Sequence, residues 1–473
     1  MSATARWLAN YARQYGPASV ITDPSGMAPF LTDWRGRYQS QARAILQPST
    51  SEAVAAAVRF CQAERLPLTP QGGNTGLVGG AVSLAAGGFI LSTTRLREYC
   101  RVDIPNRTLC LSAGFTLQEA QYSAAQAGLL FPLSLASEGS CTIGGNLSTN
   151  AGGTAVLCYG NIRDLTLGLE AVLPNGTIWS DLRGLRKSNV GYDLKQLLIG
   201  AEGTLGIITG TTLKLFPTPL GFITVWLAVN DIDQAVDVFQ RLQTVAGPAV
   251  TACEWMNAAA IEIVQTHFAG RAPVSASMSH LLLELSYYDQ AQSSHLEAQL
   301  LKLLNQVSGA GMIGEAVVAH NEQQRQALWQ LRENISAAQA RAGLNVKHDI
   351  GLPLSEIGAF VKKTAVDLST RWPGCRPIVF GHLGDGNLHF NVSAPIGADS
   401  QAFLHDHEAA INACVHKSVQ ALGGTISAEH GIGLLKKDAL AQQAPVAALE
   451  AMRAIKKALD PHNILNPGKI INL

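Results

Sequence analysis

The chain has 473 residues, of which 47% are hydrophobic and 15% are charged. This composition is typical of a compact protein of two or three domains and excludes an intrinsically disordered one. Basic and acidic residues number 35 each, so the net charge does not favour binding to nucleic acid or to an anionic membrane surface.

Cysteines and apolar runs indicate the compartment. The eight cysteines are scattered without a C-x-x-C pair, which favours reduced thiols over a disulfide framework. The start, MSATARWLANYARQYG, lacks the apolar core of a signal peptide, and no run of about 18 apolar residues predicts a membrane span. We therefore expect a soluble, cytoplasmic protein.

Local signals along the first half of the chain predict short helices and strands. The stretch Ser49-Thr50-Ser51-Glu52 followed by AVAAAVRFCQAERL predicts a capped helix, and LPLTP and GGFILSTTRL predict strands. Small-residue loops, GSCTIGGNLSTNAGG and GAEGTLGIITG, separate short apolar strands between 131 and 217. Asn175-Gly176 predicts a hairpin, because both central turn positions tolerate positive φ.

The glycine-rich texture stops at Phe216-Pro217-Thr218-Pro219, which predicts a domain boundary there. Beyond it, DIDQAVDVFQRLQTV and ALWQLRENISAAQARAG predict amphipathic helices, and HLLLELSYY predicts a strand. The end, LEAMRAIKKALDPHNILNPGKIINL, predicts a helix and a broken tail. We expect a first domain over 1–219, a second domain over 220–410 and a C-terminal helical segment over 411–473.

The loop Gly72-Gly73-Asn74-Thr75-Gly76 follows a predicted strand and precedes Gly79-Gly80. Glycines let backbone N–H groups approach an anion, so such a loop can hold a diphosphate without a positive side chain. A tight structural turn is the alternative interpretation. The spacing matches neither the Rossmann nor the Walker pattern, and the two further small-residue segments favour a long dinucleotide.

These loops, in this order, resemble those of the vanillyl-alcohol-oxidase/p-cresol-methylhydroxylase (PCMH) type flavoproteins. The resemblance implies an α+β fold, with a PCMH-type FAD-binding domain, an α/β substrate domain containing an antiparallel sheet, and a C-terminal segment that returns to the flavin. Members with covalent FAD carry histidine where this chain has Asn74, so non-covalent FAD is expected. The implied FAD contacts are Gln71, Gly72, Gly73, Asn74, Thr75, Gly76, Leu77, Gly139, Ser140, Gly144, Gly145, Asn150, Gly153, Glu202, Ile207 and Asn466.

The segment RPIVFGHLGDGNLHFNV predicts a histidine pair. If Asp385-Gly386 forms a two-residue turn, His382 lies opposite His389 on one sheet face, at a separation that suits one metal ion. Asn391 points to the same face, because side chains alternate along a strand. The alternative is a pair of ordinary surface histidines.

A second cluster, Glu429-His430, adds a carboxylate and an imidazole; alone, it is equally compatible with a solvated loop. Two histidines and one carboxylate, with open positions for substrate, suit a catalytic Zn²⁺ or a similar divalent ion such as Mn²⁺; a structural zinc site needs four protein ligands. Both clusters resemble the D-2-hydroxyglutarate and D-lactate dehydrogenase branch of these flavoproteins. The resemblance assigns His382, His389 and Glu429 to the metal and His430 to the catalytic base.

The substrate is predicted from a third group of residues. Arg332 and Ser336 lie four apart on one helix face, Lys347 follows the helix, and an arginine fork with an ammonium suits a second carboxylate. The alternative is that Arg332 pairs with a local glutamate such as Glu333 or faces solvent. By resemblance these three residues hold the distal carboxylate, with serine at 336 in place of threonine, and Asn391 is added as a substrate contact.

We therefore expect oxidation of D-2-hydroxyglutarate, with D-lactate, D-malate or glycolate as alternative substrates. The resemblance implies an electron-transferring flavoprotein or a quinone as acceptor, and a homodimer is possible. A rival of another class is a non-catalytic flavoprotein subunit, against which the complete set of histidines and glutamate argues.

Overall fold

The computed structural model describes residues 2–275 and 278–473. Over these ranges, no helix combines the length and the apolar character needed to cross a membrane. The helices are α1 (Ala3–Tyr15), α2 (Pro24–Leu31), α3 (Ser51–Glu64), α4 (Leu117–Gln126), α5 (Ile143–Thr149), α6 (Val156–Tyr159), α7 (Ile162–Leu165), α8 (Lys195–Leu198), α9 (Ile232–Ala246), α10 (Ala258–His267), α11 (Gln290–Gly309), α12 (Glu322–Ala342), α13 (Leu354–Arg371), α14 (Ser400–Ala421), α15 (Lys437–Gln443) and α16 (Val446–Leu459).

The strands, in chain order, are β1 (Val20–Ile21), β2 (Ala44–Leu46), β3 (Leu68–Gln71), β4 (Phe89–Ser92), β5 (Cys100–Asp103), β6 (Thr108–Ser112), β7 (Leu129–Leu130), β8 (Thr166–Val172), β9 (Ile178–Asp181), β10 (Ile207–Lys214), β11 (Phe216–Pro217), β12 (Gly221–Val229), β13 (Val250–Met256), β14 (Ser279–Tyr287), β15 (Ile313–Val318), β16 (Asn345–Val346), β17 (Asp349–Gly351), β18 (Arg376–His382) and β19 (Asn387–Ser393).

The chain divides into two units. The first comprises Met1–Gly153, Tyr159–Thr218 and Glu429–Leu473, and the second comprises Thr154–Cys158 and Pro219–Ala428. The boundary expected at 411 falls inside α14, and the chain passes from the second unit to the first after Ala428. Phe403 and Leu404, before that position, and Cys414 and Val419, after it, pack in the same core of the second unit, so α14 stays within one unit.

The first unit contains a small mixed sheet, in which β2, β4 and β3 run parallel and β1 pairs antiparallel with β2. An antiparallel sheet follows, in the order β5-β6-β10-β8-β9. The predicted capped helix is confirmed as α3, where the Thr50 side chain accepts from the N–H of Ala53. Its buried residues Val54, Val58 and Cys61 share the first unit's core with Leu68 and Phe89.

The predicted Asn175-Gly176 hairpin is confirmed as the β8–β9 connection, although its turn differs from the expected one. Gly176 has φ 77° while Asn175 keeps a negative φ, and Leu173 N–H donates to Thr177 O across the loop. A three-residue loop needs only its last residue in the left-handed region. The turn therefore uses the glycine and not the asparagine for its strained position.

The second unit is built on an antiparallel sheet in the order β15-β12-β14-β13-β18-β19-β16, with β17 also paired to β19. Alternate residues of β12 enter different cores, because side chains alternate across a strand. Val225 and Leu227 pack with α9, α11, α13 and α14, whereas Trp226 and Ala228 pack with α10 and α12. Helices on both faces explain why β12, β13 and β14 are buried over almost their whole length. The predicted α+β fold is confirmed.

Candidate functional site

A cavity in the first unit is lined by segments from 70–81, 141–149 and 202–208, together with His430. Among the described lining residues there is no lysine or arginine, so an anion here would meet backbone amides. The lining includes most of the predicted FAD contacts: Gln71, Gly72, Gly73, Asn74, Thr75, Gly76, Gly144, Gly145, Glu202 and Ile207.

Two glycines show how the loops form this cavity. A Cβ on Gly73 would lie 2.0 Å from the carbonyl oxygen of Ser140, so only glycine lets the two loops pack this closely. A Cβ on Gly76 would meet nothing within 4 Å, so Gly76 leaves space in the cavity. The first glycine closes the wall, and the second keeps room for a ligand beside exposed backbone.

Two predicted FAD contacts use their side-chain amides within the protein. Gln71 Nε2 donates to the carbonyls of Phe30 and Ala81, and Asn74 Nδ2 donates to the carbonyl of Thr32. Asn74 also has φ 53°, in the left-handed region. These bonds fix the loop, so ligand contacts from 71–76 are left chiefly to the backbone.

The other predicted FAD contacts lie outside the cavity lining of the described structure, and their direct contacts stay predictions. They are Leu77, Gly139, Ser140, Asn150, Gly153 and Asn466. Gly153 has φ 123°, and a Cβ there would lie 2.1 Å from Ser134 O. Asn150 Oδ1 accepts from Arg163 N–H, and Asn466 Nδ2 donates to the carbonyls of Gly80 and Glu202. Asn466 thus anchors the C-terminal segment to two lining loops.

Glu202 holds the chain directly after His430. Its Oε1 accepts from Ile432 N–H at 2.7 Å, and its Oε2 accepts from Gly433 N–H at 2.8 Å. Burial raises the pKa of the Glu202 carboxyl, and the two N–H groups act in the opposite direction. The carboxylate therefore orients the segment that places His430 in the cavity wall.

The histidine pair of the second unit forms with a different register from the predicted one. Phe380, and not His382, lies opposite His389, because a short helical turn at Leu383–Asp385 and Gly386 (φ 80°) make the connection longer than two residues. His382 is consequently a diagonal neighbour of His389 on the same face. Their ring centroids are 5.8 Å apart, so the predicted proximity survives the change of register.

A buried carboxylate that the sequence analysis did not identify contacts His382. Glu254 lies directly opposite His382 in the β13–β18 ladder, and its Oε1 accepts from His382 Nδ1 at 2.6 Å. Its Oε2 accepts from Arg332 Nε at 2.7 Å. Burial alone would raise the pKa of Glu254, but His382 and Arg332 outweigh it and lower the pKa to about 2.

Arg332 lies on α12 and is 7% exposed. It pairs with Glu254 from β13 and not with Glu333, so the local ion pair considered from the sequence is not the one formed. Its guanidinium also lies 4.9 Å over the ring of Phe380. One edge and one face of the guanidinium are thereby fixed.

The remaining predicted substrate residues have mixed environments. Ser336 is exposed on α12, and Lys347 is half-buried between β16 and β17. Asn391 is buried; its Nδ2 donates to Gln339 Oε1 and its Oδ1 accepts from His348 N–H. The amide of Asn391 therefore has protein partners, and its contact with substrate stays a prediction.

Glu254 had one signal in the sequence. In VTACEWM it is the only charged residue of an otherwise uncharged strand whose residues are all buried. A charged group at such a position requires a partner, because an unpaired buried charge is very costly. The sequence offers no way to identify the partners, since Arg332 is 78 residues away.

Two family models match the chain. The family model described as "FAD binding domain" matches residues 42–181, and "FAD linked oxidases, C-terminal domain" matches residues 222–470. The mitochondrial D-2-hydroxyglutarate dehydrogenase of Bos taurus is 37% identical over 456 residues, covering 96% of this chain and 81% of that protein. A D-2-hydroxyglutarate dehydrogenase of Stutzerimonas stutzeri is 34% identical, covering 96% of both chains.

Solved structures with a similar fold include p-cresol methylhydroxylase with substrate bound. Its TM-score is 0.76 at 16% identity, covering 99% of this chain and 97% of that one. An alkyldihydroxyacetonephosphate synthase has a TM-score of 0.74 at 15% identity, covering 98% of this chain and 84% of that one. At these identities the likeness concerns the fold alone.

Proposed function

The chain belongs to the family of FAD-linked oxidases, and from that premise we propose that it is an FAD-dependent dehydrogenase oxidising D-2-hydroxyglutarate to 2-oxoglutarate. The D-2-hydroxyglutarate dehydrogenases to which it is similar align with nearly its whole length. The observation that carries the proposal is the glycine-lined cavity with His430 in its wall. A base beside a dinucleotide site is what oxidation of a hydroxy acid requires.

The residues present fit FAD. The cavity has backbone-rich walls from three loops, open space at Gly76 and no basic side chain among its described lining residues. Asn74 stands at the position where covalent members carry histidine. Its side-chain amide is not a nucleophile that could bond to the flavin, so we propose that FAD is bound non-covalently.

The residues also fit a divalent metal, with His382, His389 and Glu429 as proposed ligands and Zn²⁺ as the first candidate, Mn²⁺ as the second. The His382 Nδ1–H donates to Glu254, which makes Nε2 the nitrogen for a metal. Glu429 comes four residues after Thr425, which pairs with Gly351 of β17. Nitrogen and carboxylate donors of this kind suit a catalytic ion with open positions.

When bound, FAD would accept the hydride of the substrate, and the metal would lower the pKa of the substrate hydroxyl. His430 accepts the hydroxyl proton at a ring nitrogen as the α-carbon loses its hydride and the C=O bond forms. Glu202 keeps this imidazole in the cavity wall by holding the backbone at 432 and 433.

Arg332 carries the choice of substrate in this proposal. Among the described residues, Arg332 hydrogen-bonds to Glu254 through Nε, so the two Nη groups are available for the distal carboxylate of a diacid. Ser336 and Lys347 are the proposed additional contacts. D-Lactate has no distal carboxylate, so it would leave the guanidinium without that partner.

An electron-transferring flavoprotein or a quinone is the proposed acceptor that reoxidises the flavin. The two classes are separated by measuring steady-state turnover with a purified electron-transferring flavoprotein and with a soluble ubiquinone analogue.

The proposed function is tested with the FAD-loaded protein under anaerobic conditions. D-2-Hydroxyglutarate is expected to bleach the flavin with a kcat/KM at least about 100-fold above that of D-lactate, because a buried Arg332 rejects a substrate that leaves it unpaired. Treatment with EDTA is expected to abolish bleaching, and added Zn²⁺ or Mn²⁺ to restore it. Stopped-flow absorbance of the flavin measures both effects.

Equal kcat/KM values for the two acids would identify a general D-2-hydroxy acid dehydrogenase instead. Full activity after exhaustive chelation would contradict the metal assignment. If Arg332→Ala leaves kcat/KM for D-2-hydroxyglutarate unchanged, the distal-carboxylate assignment is wrong.

A further inference from the structure

A single buried carboxylate joins two parts of the proposed site in the second unit. Glu254 is 0% exposed, and its two oxygens contact different partners. Oε1 accepts from the Nδ1 of His382, at 2.6 Å, and Oε2 accepts from the Nε of Arg332, at 2.7 Å. His382 is a proposed metal ligand and Arg332 is the proposed anchor of the distal carboxylate.

We infer that Glu254 is a positioning residue that sets the spacing between the metal end and the distal-carboxylate end of the substrate site. This inference rests on the proposed function and adds a specificity determinant to it. A diacid reaches both ends only if their separation matches its carbon chain. Because both ends are bonded to one carboxylate, neither can shift without the other.

The contacts around Glu254 support a fixed spacing. The backbone ladder places Glu254 directly opposite His382, so the two side chains start from neighbouring positions on one sheet face. The Cζ of Arg332 lies 4.9 Å from the ring centroid of Phe380. The ring centroids of Phe380 and His389 are also 4.9 Å apart. The arginine is therefore held by its Nε edge and by one face, which leaves its Nη edge for a ligand.

Glu284, on β14, is a natural control, because it contacts the same helix, α12, that carries Arg332. Glu284 is also nearly buried on this sheet face, and it accepts from Arg325 and from Trp329 of α12 and from Thr224. No histidine is among these partners of Glu284 in the described structure. Glu254 and Glu284 thus both anchor α12 through an arginine, but only Glu254 also contacts a proposed metal ligand.

The test compares Glu254→Gln with Glu284→Gln in the FAD-loaded protein. Glutamine replaces one of the two accepting oxygens with an NH₂ donor, so at 254 only one of Arg332 and His382 still faces an accepting oxygen in the present geometry. If its NH₂ faces His382, Nδ1 must accept and the ring proton moves to Nε2, the nitrogen proposed for the metal. At 284 the same substitution weakens the anchoring of α12 without touching a histidine.

The first readout is independent of turnover. The Kd for Zn²⁺, measured by competition with a chromophoric chelator, is expected to rise about 10- to 100-fold in Glu254→Gln and to stay within about twofold in Glu284→Gln. The second readout is the ratio of kcat/KM for D-2-hydroxyglutarate to that for D-lactate. It is expected to fall at least about 10-fold in Glu254→Gln only, because Arg332 loses its orientation.

Equal shifts in the two variants, or none in either, would overturn the inference. If Glu254→Gln does not fold, Glu254→Asp against Glu284→Asp is the test; the shorter acid keeps the charge but loses reach, and a weaker Zn²⁺ affinity is expected at 254 only. Failure of the proposed function looks different: the wild-type protein itself would bind no Zn²⁺ or would not be bleached by D-2-hydroxyglutarate.

Discussion

At the scale of single residues, the carboxylate of Glu202 in the first unit holds the backbone next to His430, the proposed base. Glu202 has φ 49° and sits in a buried loop, where its carboxylate accepts two backbone N–H groups that follow His430. A Cβ on Gly431 would lie 2.7 Å from Glu202 Oε1, so this segment passes close to the carboxylate. The position of His430 therefore depends on a residue more than two hundred positions earlier in the chain.

His430→Ala tests the proposed base. The rate of anaerobic flavin reduction by D-2-hydroxyglutarate is expected to fall about 10²- to 10⁴-fold, because the hydroxyl proton loses its acceptor. Flavin content and Zn²⁺ content are expected to stay unchanged. Stopped-flow absorbance and metal analysis measure these quantities, and His405→Ala, at an exposed position of α14, is the matched control. A variant at 430 that reduces its flavin at the wild-type rate would exclude His430 as the base.

At the scale of secondary structure, the connection between β18 and β19 determines how the histidines approach. Gly386 ends the helical turn with φ 80°, and a Cβ there would lie 2.2 Å from the carbonyl oxygen of Leu352. The loop thus packs against the segment before α13. An L side chain at 386 would have to displace backbone, and the histidine pair would move with it.

Gly386→Ala and Gly397→Ala separate backbone strain from this packing. Both glycines have φ 80°, but a Cβ on Gly397 meets nothing within 4 Å. Gly397→Ala is expected to lower the free energy of unfolding by about 1 kcal/mol, from the strained φ alone. Gly386→Ala is expected to cost about 2–4 kcal/mol, because a steric clash is added, and to weaken Zn²⁺ binding.

Urea denaturation followed by tryptophan fluorescence, together with chelator competition, measures these two effects. Equal destabilisation by the two alanines would show that the contact with Leu352 O relaxes without consequence.

At the scale of the whole chain, the C-terminal segment completes the first unit. Lys456 Nζ donates to the carbonyls of Thr204 and Leu465 and pairs with Asp460. Lys469 is 2% exposed, and its Nζ donates to Val82 O at 2.7 Å. Buried ammonium groups are costly, so these contacts hold the tail only while each charge keeps its carbonyl or carboxylate partner.

The titration of Lys469 predicts a dependence of stability on pH. Burial, with a smaller contribution from Lys437, lowers the pKa of Lys469 from 10.5 to about 8. Between these values the unfolded chain keeps a proton that the folded chain has released, so the free energy of unfolding rises with pH across this window. The protonated Lys469 therefore lowers the free energy of unfolding by about 3 kcal/mol, and this loss is complete below about pH 8.

The effect is measured by urea unfolding of the wild-type protein and of Lys469→Met between pH 7.5 and pH 10.5, which is about the range of this titration. Methionine fills the same space without a charge, so the difference in unfolding free energy between the two proteins should narrow as pH rises. A difference that is constant across the range would show that the pKa of Lys469 is not lowered.

Local patterns in the sequence determined many of the helices, strands and loops of this protein. Thr50 caps α3, LPLTP and GGFILSTTRL form β3 and β4, and the three glycine loops line one cavity. Capping, alternation and turn chemistry act between residues close in the chain, so they can be read without knowing the fold. Oligomeric state, electron acceptor and cytoplasmic location stay predictions.

Tertiary structure alone decided which distant residues meet. It set Phe380, and not His382, opposite His389, because the turn at Leu383–Asp385 is longer than the hairpin that the sequence suggested. It paired Arg332 with Glu254 and brought the C-terminal tail to Val82. Such partners depend on how whole strands and helices pack, and no pattern of neighbouring residues encodes that packing.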